Sequence, residues 1–337
     1  MFTRSTRPKT TMNEQSPQHV LIVDDEPNIV NAVRRELSSR FGRYRYETEE
    51  FSDPVQALER ARIQRYDVVI SDFRMPGMDG MEFLKAFAKI QPDCARIVLS
   101  GETDMATLVD MVNEIHIYRF IPKPWRDYYL RGSVAQAIQY NTALLESRQL
   151  AQVARDANIP IPASDDTGVD QVLLVDDDQN ILNSMSRVFT RQSTVDDLFS
   201  TIRAENANRV WPVPEEDKIQ IHVTPSPLHA LRMADATRFS CIVADFKMPL
   251  MNGIDLLQKF MDLQPDCIRI LVSGVISQDD LVYAVDSAHI FGFISKPWDD
   301  FELKAMITRA LAFRKLLAEN QRLAEIVRLA SKNALDG

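Results

Sequence analysis

Cysteine, glycine and long hydrophobic runs are scarce in this sequence, and each shortage excludes a class of protein. The 337 residues contain three cysteines and ten glycines. Three scattered cysteines are too few for a disulfide framework or a zinc site, so we expect a reducing, cytoplasmic location. The glycines form no nucleotide-binding loop. No apolar run approaches the roughly 20 residues that cross a bilayer, so we expect no membrane partner.

Positive charge is also in short supply. The chain has 39 lysines and arginines against 48 aspartates and glutamates, which gives a net charge of −9. Because duplex DNA is bound mainly through lysine and arginine, we expect no nucleic-acid partner. The hydrophobic content of 45% is ordinary for a globular protein. A chain of this length is sufficient for two or three domains, each with its own core.

One pattern occurs twice along the chain. The string "VLIVDD" begins at Val20, and "VLLVDD" begins at Val172. Further on, "FRMPGMDG" at Phe73 matches "FKMPLMNG" at Phe246, and "QPDC" and "KPW" strings recur at the same offset of 173 residues. The opening strings are offset by only 152 residues, so the second copy carries 21 extra residues. We place this insertion at about 191–218.

Each copy alternates short apolar runs with amphipathic segments of helical spacing. Runs such as "DVVISD" are continuously apolar, as strands are when helices cover both faces of a parallel sheet. We therefore predict the α/β class, with two doubly wound, five-stranded parallel sheets and helical extensions. The predicted divisions are a disordered tail over 1–17, a first domain over 18–140, a helical extension and linker over 141–169, a second domain over 170–312, and a C-terminal helix over 313–337.

Polar side chains recur where the predicted strands end. Because the carboxyl ends of parallel strands meet at one edge of a sheet, these side chains are expected to share a crevice. A single aspartate at such a place is most often a cap or turn residue, but recurrence of the whole set in both copies favours a site. The set consists of Asp24, Asp25, Asp72, Ser100 and Lys123 in the first copy, and Asp176, Asp177, Asp245, Ser273 and Lys296 in the second.

The residue types in this set point to phosphoryl chemistry. Three carboxylates in one crevice repel one another, and a hard divalent cation such as Mg2+ offsets that repulsion. Histidine and cysteine are missing from the set, which disfavours zinc. A carboxylate is able to act as a nucleophile, and a metal ion, a lysine and a hydroxyl then stabilise the charge on a transferred phosphoryl group.

Together these motifs resemble the receiver domains of two-component response regulators. That family carries an acid pair after the first strand, a phospho-acceptor aspartate after the third, serine or threonine after the fourth, and Lys-Pro after the fifth. The resemblance implies two flavodoxin-like (βα)5 domains with cis Lys-Pro bonds. It implies Asp72 and Asp245 as the phospho-acceptors. It also implies that Mg2+ is bound by Asp25, Asp72 and the Arg74 backbone oxygen, with Asp24 holding metal-bound water. In the second copy the corresponding groups are Asp177, Asp245 and the Lys247 backbone oxygen, with Asp176 holding metal-bound water.

The resemblance also implies how each site responds and what it contacts. Lys123 and Lys296 would pair with the phosphoryl group, Ser100 and Ser273 would move toward it, and Phe120 and Phe293 would act as switch aromatics. The implied phosphodonor is a sensor histidine kinase or a phosphotransfer protein. The chain would then be no enzyme beyond its own phosphorylation and dephosphorylation, and we recognise no output domain in it.

The same residues allow other interpretations of function, and the sequence disfavours them to different degrees. A phosphatase of the haloacid dehalogenase type needs D-x-D after the first strand, whereas both copies have adjacent aspartates there. A flavodoxin-like cofactor binder needs a neutral or glycine-rich loop at that point, and an acidic loop would repel phosphate. The main alternative lies within signalling: an adaptor or scaffold that works without phosphorylation, or a phosphate sink in a phosphorelay.

The C-terminal segment shows a heptad pattern with a single asparagine. Such a pattern is typical of a short parallel coiled coil whose register is set by a buried amide. We therefore predict a homodimer through this helix, with a helix lying on its own domain as the alternative. The last helix of the first copy runs along a similar seam. The pattern comprises Phe313, Leu316, Asn320, Leu323, Val327 and Ala330.

Overall fold

The computed structural model describes a large part of the chain, in six stretches: residues 17–38, 44–101, 117–125, 129–161, 168–189 and 219–335. The predicted disordered tail up to residue 16, the linker residues 162–167 and the predicted insertion lie outside these stretches. Within them, no helix combines the length and the apolar character that a bilayer crossing requires.

The first copy folds around a five-stranded sheet in which all neighbouring strands are parallel. The strand order is β2-β1-β3-β4-β5. Its strands are β1 (Gln18–Val23), β2 (Tyr46–Phe51), β3 (Val68–Asp72), β4 (Ala95–Ser100) and β5 (Arg119–Pro122). Its described helices are α1 (Pro27–Leu37), α2 (Pro54–Ala61), α3 (Gly80–Ile90) and α4 (Tyr129–Asp156).

The second copy repeats this architecture. Its parallel sheet has the order β7-β6-β8-β9-β10, which is the same topology. The predicted fold class, two doubly wound α/β domains with helical extensions, is confirmed. The strands are β6 (Asp170–Val175), β7 (Ile219–Thr224), β8 (Cys241–Asp245), β9 (Ile268–Ser273) and β10 (Gly292–Ser295). The described helices are α5 (Gln179–Arg187), α6 (Pro227–Ala236), α7 (Gly253–Leu263), α8 (Gln278–Ser287) and α9 (Asp300–Leu335).

The recurring "QPDC" strings supply a buried amide clamp in each domain. The Gln91 side chain accepts a hydrogen bond from the Tyr66 backbone N–H and donates to the carbonyls of Ala61 and Gln64. Gln264 makes the three matching bonds in the second domain. Because buried backbone groups need partners, each clamp ties the end of the second helix to the start of the third strand. This arrangement fixes the strand that ends in the candidate acceptor.

The two long helices, α4 and α9, pack against each other within one chain. The rings of Tyr140 and Phe313 lie 6.2 Å apart, and the Asn320 side chain donates to the Ala143 carbonyl at 2.8 Å. Contacts advance in the same direction along both helices, so the pair is parallel. The heptad seam and its buried asparagine are therefore present within one chain, and the homodimer through this helix stays a prediction. The seam is occupied by the first domain's own helix.

The packing of α4 and α9 also joins the two hydrophobic cores. A single cluster of buried side chains includes residues of both sheets and both long helices. At its centre Gly292, on β10, leaves room for Met306 and Gln136, because a Cβ atom there would lie 2.6 Å from the Met306 sulfur. Arg119, on β5, donates to the Ser133 hydroxyl at 2.7 Å. The edge strands of both sheets therefore belong to one packed interface.

One backbone position next to the second crevice is strained. Leu250 has a φ of 71°, and its side chain is 89% exposed. The matched position in the first copy holds Gly77, with a φ of 82°. A left-handed conformation costs a residue with a Cβ atom roughly 1–2 kcal/mol, and glycine avoids that cost.

We therefore expect Leu250→Gly to raise the free energy of unfolding of the second domain by about 1 kcal/mol. Urea unfolding of the full chain measures this change. The control is Leu228→Gly, at an exposed leucine in the helical backbone of α6, which should lower stability by about 1 kcal/mol. A loss of stability in both variants would contradict the argument from backbone strain.

Candidate functional site

The first crevice brings two buried carboxylates onto one lysine. Asp24 follows β1, Asp72 ends β3, and Lys123 follows β5, so the parallel sheet delivers all three to its carboxyl edge. The Lys123 ammonium lies 2.8 Å from the Asp24 carboxylate and 2.5 Å from that of Asp72. The two aspartates are 1% and 6% exposed. The structure thus brings together three of the residues that the sequence places at the strand ends.

The second crevice reproduces the arrangement with almost the same geometry. The Lys296 ammonium lies 2.6 Å from the Asp176 carboxylate and 2.5 Å from that of Asp245. Asp176 and Asp245 are as buried as their counterparts in the first domain. The long insertion that separates the first two strands of this copy in sequence therefore leaves the crevice intact.

Backbone hydrogen bonds orient each carboxylate toward the lysine. One oxygen of Asp24 accepts from the Glu26 N–H at 2.9 Å, and one oxygen of Asp72 accepts from the Arg74 N–H at 2.8 Å. The other oxygen of each group faces Lys123. Asp176 and Asp245 are held in the same way in the second domain. These short-range turns preset the crevice before any ligand arrives.

Burial and charge act in opposite directions on these groups. Burial raises the pKa of Asp24, and the hydrogen bond from Lys123 opposes this effect only in part. For Lys123, burial disfavours the charged form, but hydrogen bonds to Asp24 and Asp72 prevail, so its pKa is raised. The pKa values of Asp176 and Lys296 are raised for the same reasons. Each crevice therefore holds two carboxylates whose negative charge a cation must offset. In the structure, the lysine ammonium is that cation.

The remaining predicted metal ligands stand outside this three-residue contact. Asp25 is half-buried and Asp177 is exposed, while the side chains of Arg74 and Lys247 point to solvent. In the described part of the chain, no three His, Cys, Asp or Glu side chains are grouped as a metal site. The chemistry of the donors still fits Mg2+. They are carboxylate and carbonyl oxygens, and Mg2+ commonly keeps several waters beside one or two carboxylates.

The predicted hydroxyl and aromatic residues lie at the neighbouring strand ends. Ser100 ends β4 and is 3% exposed, and its carbonyl accepts from the Lys123 backbone N–H at 2.7 Å. The Ser273 hydroxyl is engaged by the loop after β9, where it donates to the Val275 carbonyl at 2.9 Å. Phe120 and Phe293 are half-buried against the cores of their domains. Both serines therefore lie at the ends of strands that border a crevice, and the Ser273 hydroxyl is held by its own loop.

Two glycines next to the candidate acceptors were missed by the sequence reasoning. A Cβ atom on Gly80 would lie 2.1 Å from the Asp72 carbonyl oxygen, and one on Gly253 would lie 2.2 Å from that of Asp245. Real Cβ atoms do not approach backbone so closely, so only glycine lets the third helix of each domain begin there. The sequence does carry a signal for these glycines, because each is the last residue of one of the repeated strings that begin at Phe73 and Phe246.

The peptide bonds that follow the two lysines have the configuration that the resemblance implied. Lys123–Pro124 and Lys296–Pro297 are both cis. The two copies thus agree in strand order, in the lysine-bridged carboxylates and in this backbone feature.

Comparison with known proteins agrees with the resemblance to receiver domains that the sequence motifs indicate. The model of the response regulator receiver domain matches residues 20–135 and 204–308. The hydrogenase transcriptional regulatory protein HoxA of Cupriavidus necator is 41% identical over 120 residues, which are 36% of this chain and 24% of that protein. Sporulation initiation phosphotransferase F of Bacillus subtilis is 36% identical over 96 residues, 28% of this chain and 71% of that protein.

A solved structure of similar sequence is the signal receiver domain of an HD domain-containing protein from Pseudomonas fluorescens. It is 30% identical, covers 38% of this chain and 99% of its own, and has a TM-score of 0.35. The chain spans about a quarter of the length of HoxA, so that protein's further activities lie outside the similarity.

Proposed function

Because this chain belongs to the response regulator receiver domain family and carries two such domains, we propose that Asp72 and Asp245 each accept a phosphoryl group. The phosphodonor in this proposal is a sensor histidine kinase or a phosphotransfer protein. The observation that carries it is the lysine-bridged carboxylate pair, built twice at matched strand ends. Three free, buried cysteines support the cytoplasm as the compartment.

The geometry accounts for how an aspartate would react. A carboxylate oxygen of Asp72 forms the bond to phosphorus while the bond from phosphorus to the donor's imidazole nitrogen breaks, and the nitrogen keeps the electron pair. The Lys123 ammonium already lies 2.5 Å from this carboxylate, so it is placed to stabilise charge on the transferred group. Lys296 takes the same part for Asp245.

The oxygen-only donor set would hold Mg2+ in each crevice. In the first domain the ligands would be Asp25, Asp72 and the backbone oxygen of Arg74, with Asp24 holding bound water. In the second, the corresponding groups belong to Asp177, Asp245, Lys247 and Asp176. When bound, the ion supplies positive charge to the phosphoryl oxygens.

The response to phosphorylation would pass from the crevice to the domain surface. A phosphoryl group adds hydrogen-bond acceptors at Asp72, and these would draw the Ser100 hydroxyl toward them and free space for Phe120. Ser273 and Phe293 would respond in the same way. The conformations with and without this movement of the serine and the phenylalanine both exist before phosphorylation. The modification shifts their populations. The output would then be altered contacts between proteins, made by the described domains and their long helices.

Phosphoryl uptake by the full-length chain tests this proposal. With radiolabelled acetyl phosphate and Mg2+, we expect up to two labels per chain, and removal of Mg2+ with EDTA should prevent uptake. Asp72→Asn and Asp245→Asn should each remove one label, and the double variant should remove both. Intact-mass spectrometry counts the phosphoryl groups.

The same experiment also shows whether the proposed phosphorylation is wrong. If a chain with bound Mg2+ takes up no label from acetyl phosphate or from a phosphorylated histidine donor, the phosphorylation-independent adaptor becomes the better reading. Label that persists in the double variant would place the acceptor elsewhere.

A further inference from the structure

A cavity of about 610 Å³ lies between the two domains. The Lys-Pro loops of both domains and the beginnings of α4 and α9 enclose it. Its size falls within the range of about 300–1,000 Å³ that is typical of small-molecule sites. The residues that matter for its chemistry are two arginines and four aromatic residues: Arg119, Arg309, Trp125, Tyr129, Trp298 and Phe301.

The two arginines are buried and incompletely neutralised. Arg119 and Arg309 are 4% and 9% exposed, and the Nε atom of each has no hydrogen-bond partner within the described residues. Burial, together with the charge of Arg119, lowers the pKa of Arg309 to about 10. Two cationic groups enclosed together favour an anion, because a buried charge is costly unless it is paired.

The acids beside the cavity are already engaged with protein groups. The Glu302 carboxylate is hydrogen-bonded to the Tyr129 hydroxyl. The Asp299 carboxylate accepts from the backbone N–H groups of Phe301 and Glu302, at 2.8 and 3.3 Å. These bonds occupy the Asp299 and Glu302 carboxylates, and Glu302 offsets the charge of Arg309 only in part.

The aromatic residues give the cavity flat, fixed walls. The Trp125 indole donates to the Glu36 carboxylate at 2.7 Å, which holds the ring in place. The Arg119 guanidinium lies over the Tyr129 ring, 5.4 Å from its centre. Trp298 is the matched tryptophan of the second copy and lines the same space. Flat aromatic walls beside guanidinium groups suit a planar ring joined to an anionic group.

Neither arginine is explained by the repeat. At the offset of 173 residues, Arg119 corresponds to Gly292 and Arg309 corresponds to Gln136. Each domain therefore contributes one arginine at a position where the other domain has an uncharged residue and still adopts the same fold. The pair exists only where the two domains meet, which argues for a role of the interface itself.

We propose that this cavity binds a small anion that carries a planar ring, of the nucleoside monophosphate class. The ring lies among the aromatic residues, and the phosphate lies at the two arginines, whose guanidinium groups match phosphate oxygens. This site is separate from both crevices and goes beyond the proposed phosphorylation. A ligand there contacts both domains and stabilises their association.

Tryptophan fluorescence tests the proposal on the full chain. The Trp211→Phe background leaves Trp125 and Trp298 as the remaining tryptophans, so the signal reports on the cavity. We expect AMP, GMP or UMP to change this signal with saturation below about 1 mM, and calorimetry to give one site per chain. Ribose 5-phosphate, which lacks the ring, and the free nucleosides, which lack the phosphate, should each bind at least about tenfold more weakly.

Variants then locate the site. Arg309→Met should weaken nucleotide binding at least about tenfold, whereas Arg62→Met, at an exposed arginine on the first domain, should leave it unchanged. Circular dichroism verifies folding, and if Arg309→Met is unfolded, Trp298→Leu serves as the deciding variant. Absence of saturable binding by all three nucleotides, or equal binding by the deciding variant, would overturn the proposal. Binding that persists in Asp72→Asn and Asp245→Asn separates this site from phosphorylation.

Discussion

The Gly80→Ala variant is expected to lose about 3 kcal/mol or more of the first domain's free energy of unfolding. The added methyl group would lie 2.1 Å from the carbonyl oxygen of Asp72, and that oxygen belongs to the backbone, so no flexible side chain is available to move aside. Either α3 or the end of β3 must shift. Because the shift displaces the candidate acceptor, phosphoryl uptake at Asp72 should fall together with stability. Urea unfolding and label uptake measure the two effects.

Gly132 provides the matched control for this substitution. It lies within α4, and a Cβ atom there would meet no atom within 4 Å. Gly132→Ala should therefore stabilise the chain by about 0.5–1 kcal/mol, as expected for glycine in a helix. Gly253→Ala should repeat the Gly80 result in the second domain, since the distance there is 2.2 Å. Similar stability of the Gly80 and Gly132 variants would show that the close approach imposes no constraint.

Removing the bridging lysine is expected to change metal binding and phosphoryl transfer in opposite directions. The Lys123 ammonium and a metal ion compete for the oxygens of Asp24 and Asp72, which lie 2.8 and 2.5 Å from the nitrogen. In Lys123→Met the two carboxylates are left without that cation, so the affinity for Mg2+ should rise on the order of tenfold. The rate of phosphoryl uptake should fall about 100-fold, because a cation aimed at the phosphoryl oxygens is lost.

Calorimetric titration with Mg2+ and label uptake from acetyl phosphate measure the two quantities. Both the protein with Lys123 and the Lys123→Met variant carry Asp245→Asn, so that only the first crevice takes up phosphoryl groups. Lys89→Met, at an exposed lysine on α3, is the control and should change neither quantity. Weaker Mg2+ binding in Lys123→Met would mean that the lysine supports the metal site instead of competing with it, and an unchanged rate would remove it from the reaction.

Both crevices could be predicted because their chemistry lies at the ends of strands. The apolar run from Val20 to Val23 must be buried, and the polar residue that follows it must emerge at the edge of the sheet. In a parallel sheet that edge is common to all strands, so Asp24, Asp72 and Lys123 had to converge. The exact pairing of the ammonium with both carboxylates depends on side-chain placement and came from the structure.

The glycines beside the acceptors lay beyond the sequence argument for a different reason. Their requirement is a contact between the first turn of a helix and the carbonyl of an earlier residue, Asp72 or Asp245. Spacing along a chain does not report such a distance. Repetition of the glycine in both copies was the available signal, but a turn accounts for a glycine equally well.

By itself the sequence determined the repeat, the two parallel sheets, the acidic crevices and the long final helix with its asparagine seam. These features follow from local patterns of burial, which the chain carries in its residue types. Only the tertiary structure decided the partner of that seam and created the cavity with its two arginines. A heptad describes one face of a helix and is satisfied by any suitable second helix, so whether α4 of the same chain or another copy fills it depends on how the domains meet.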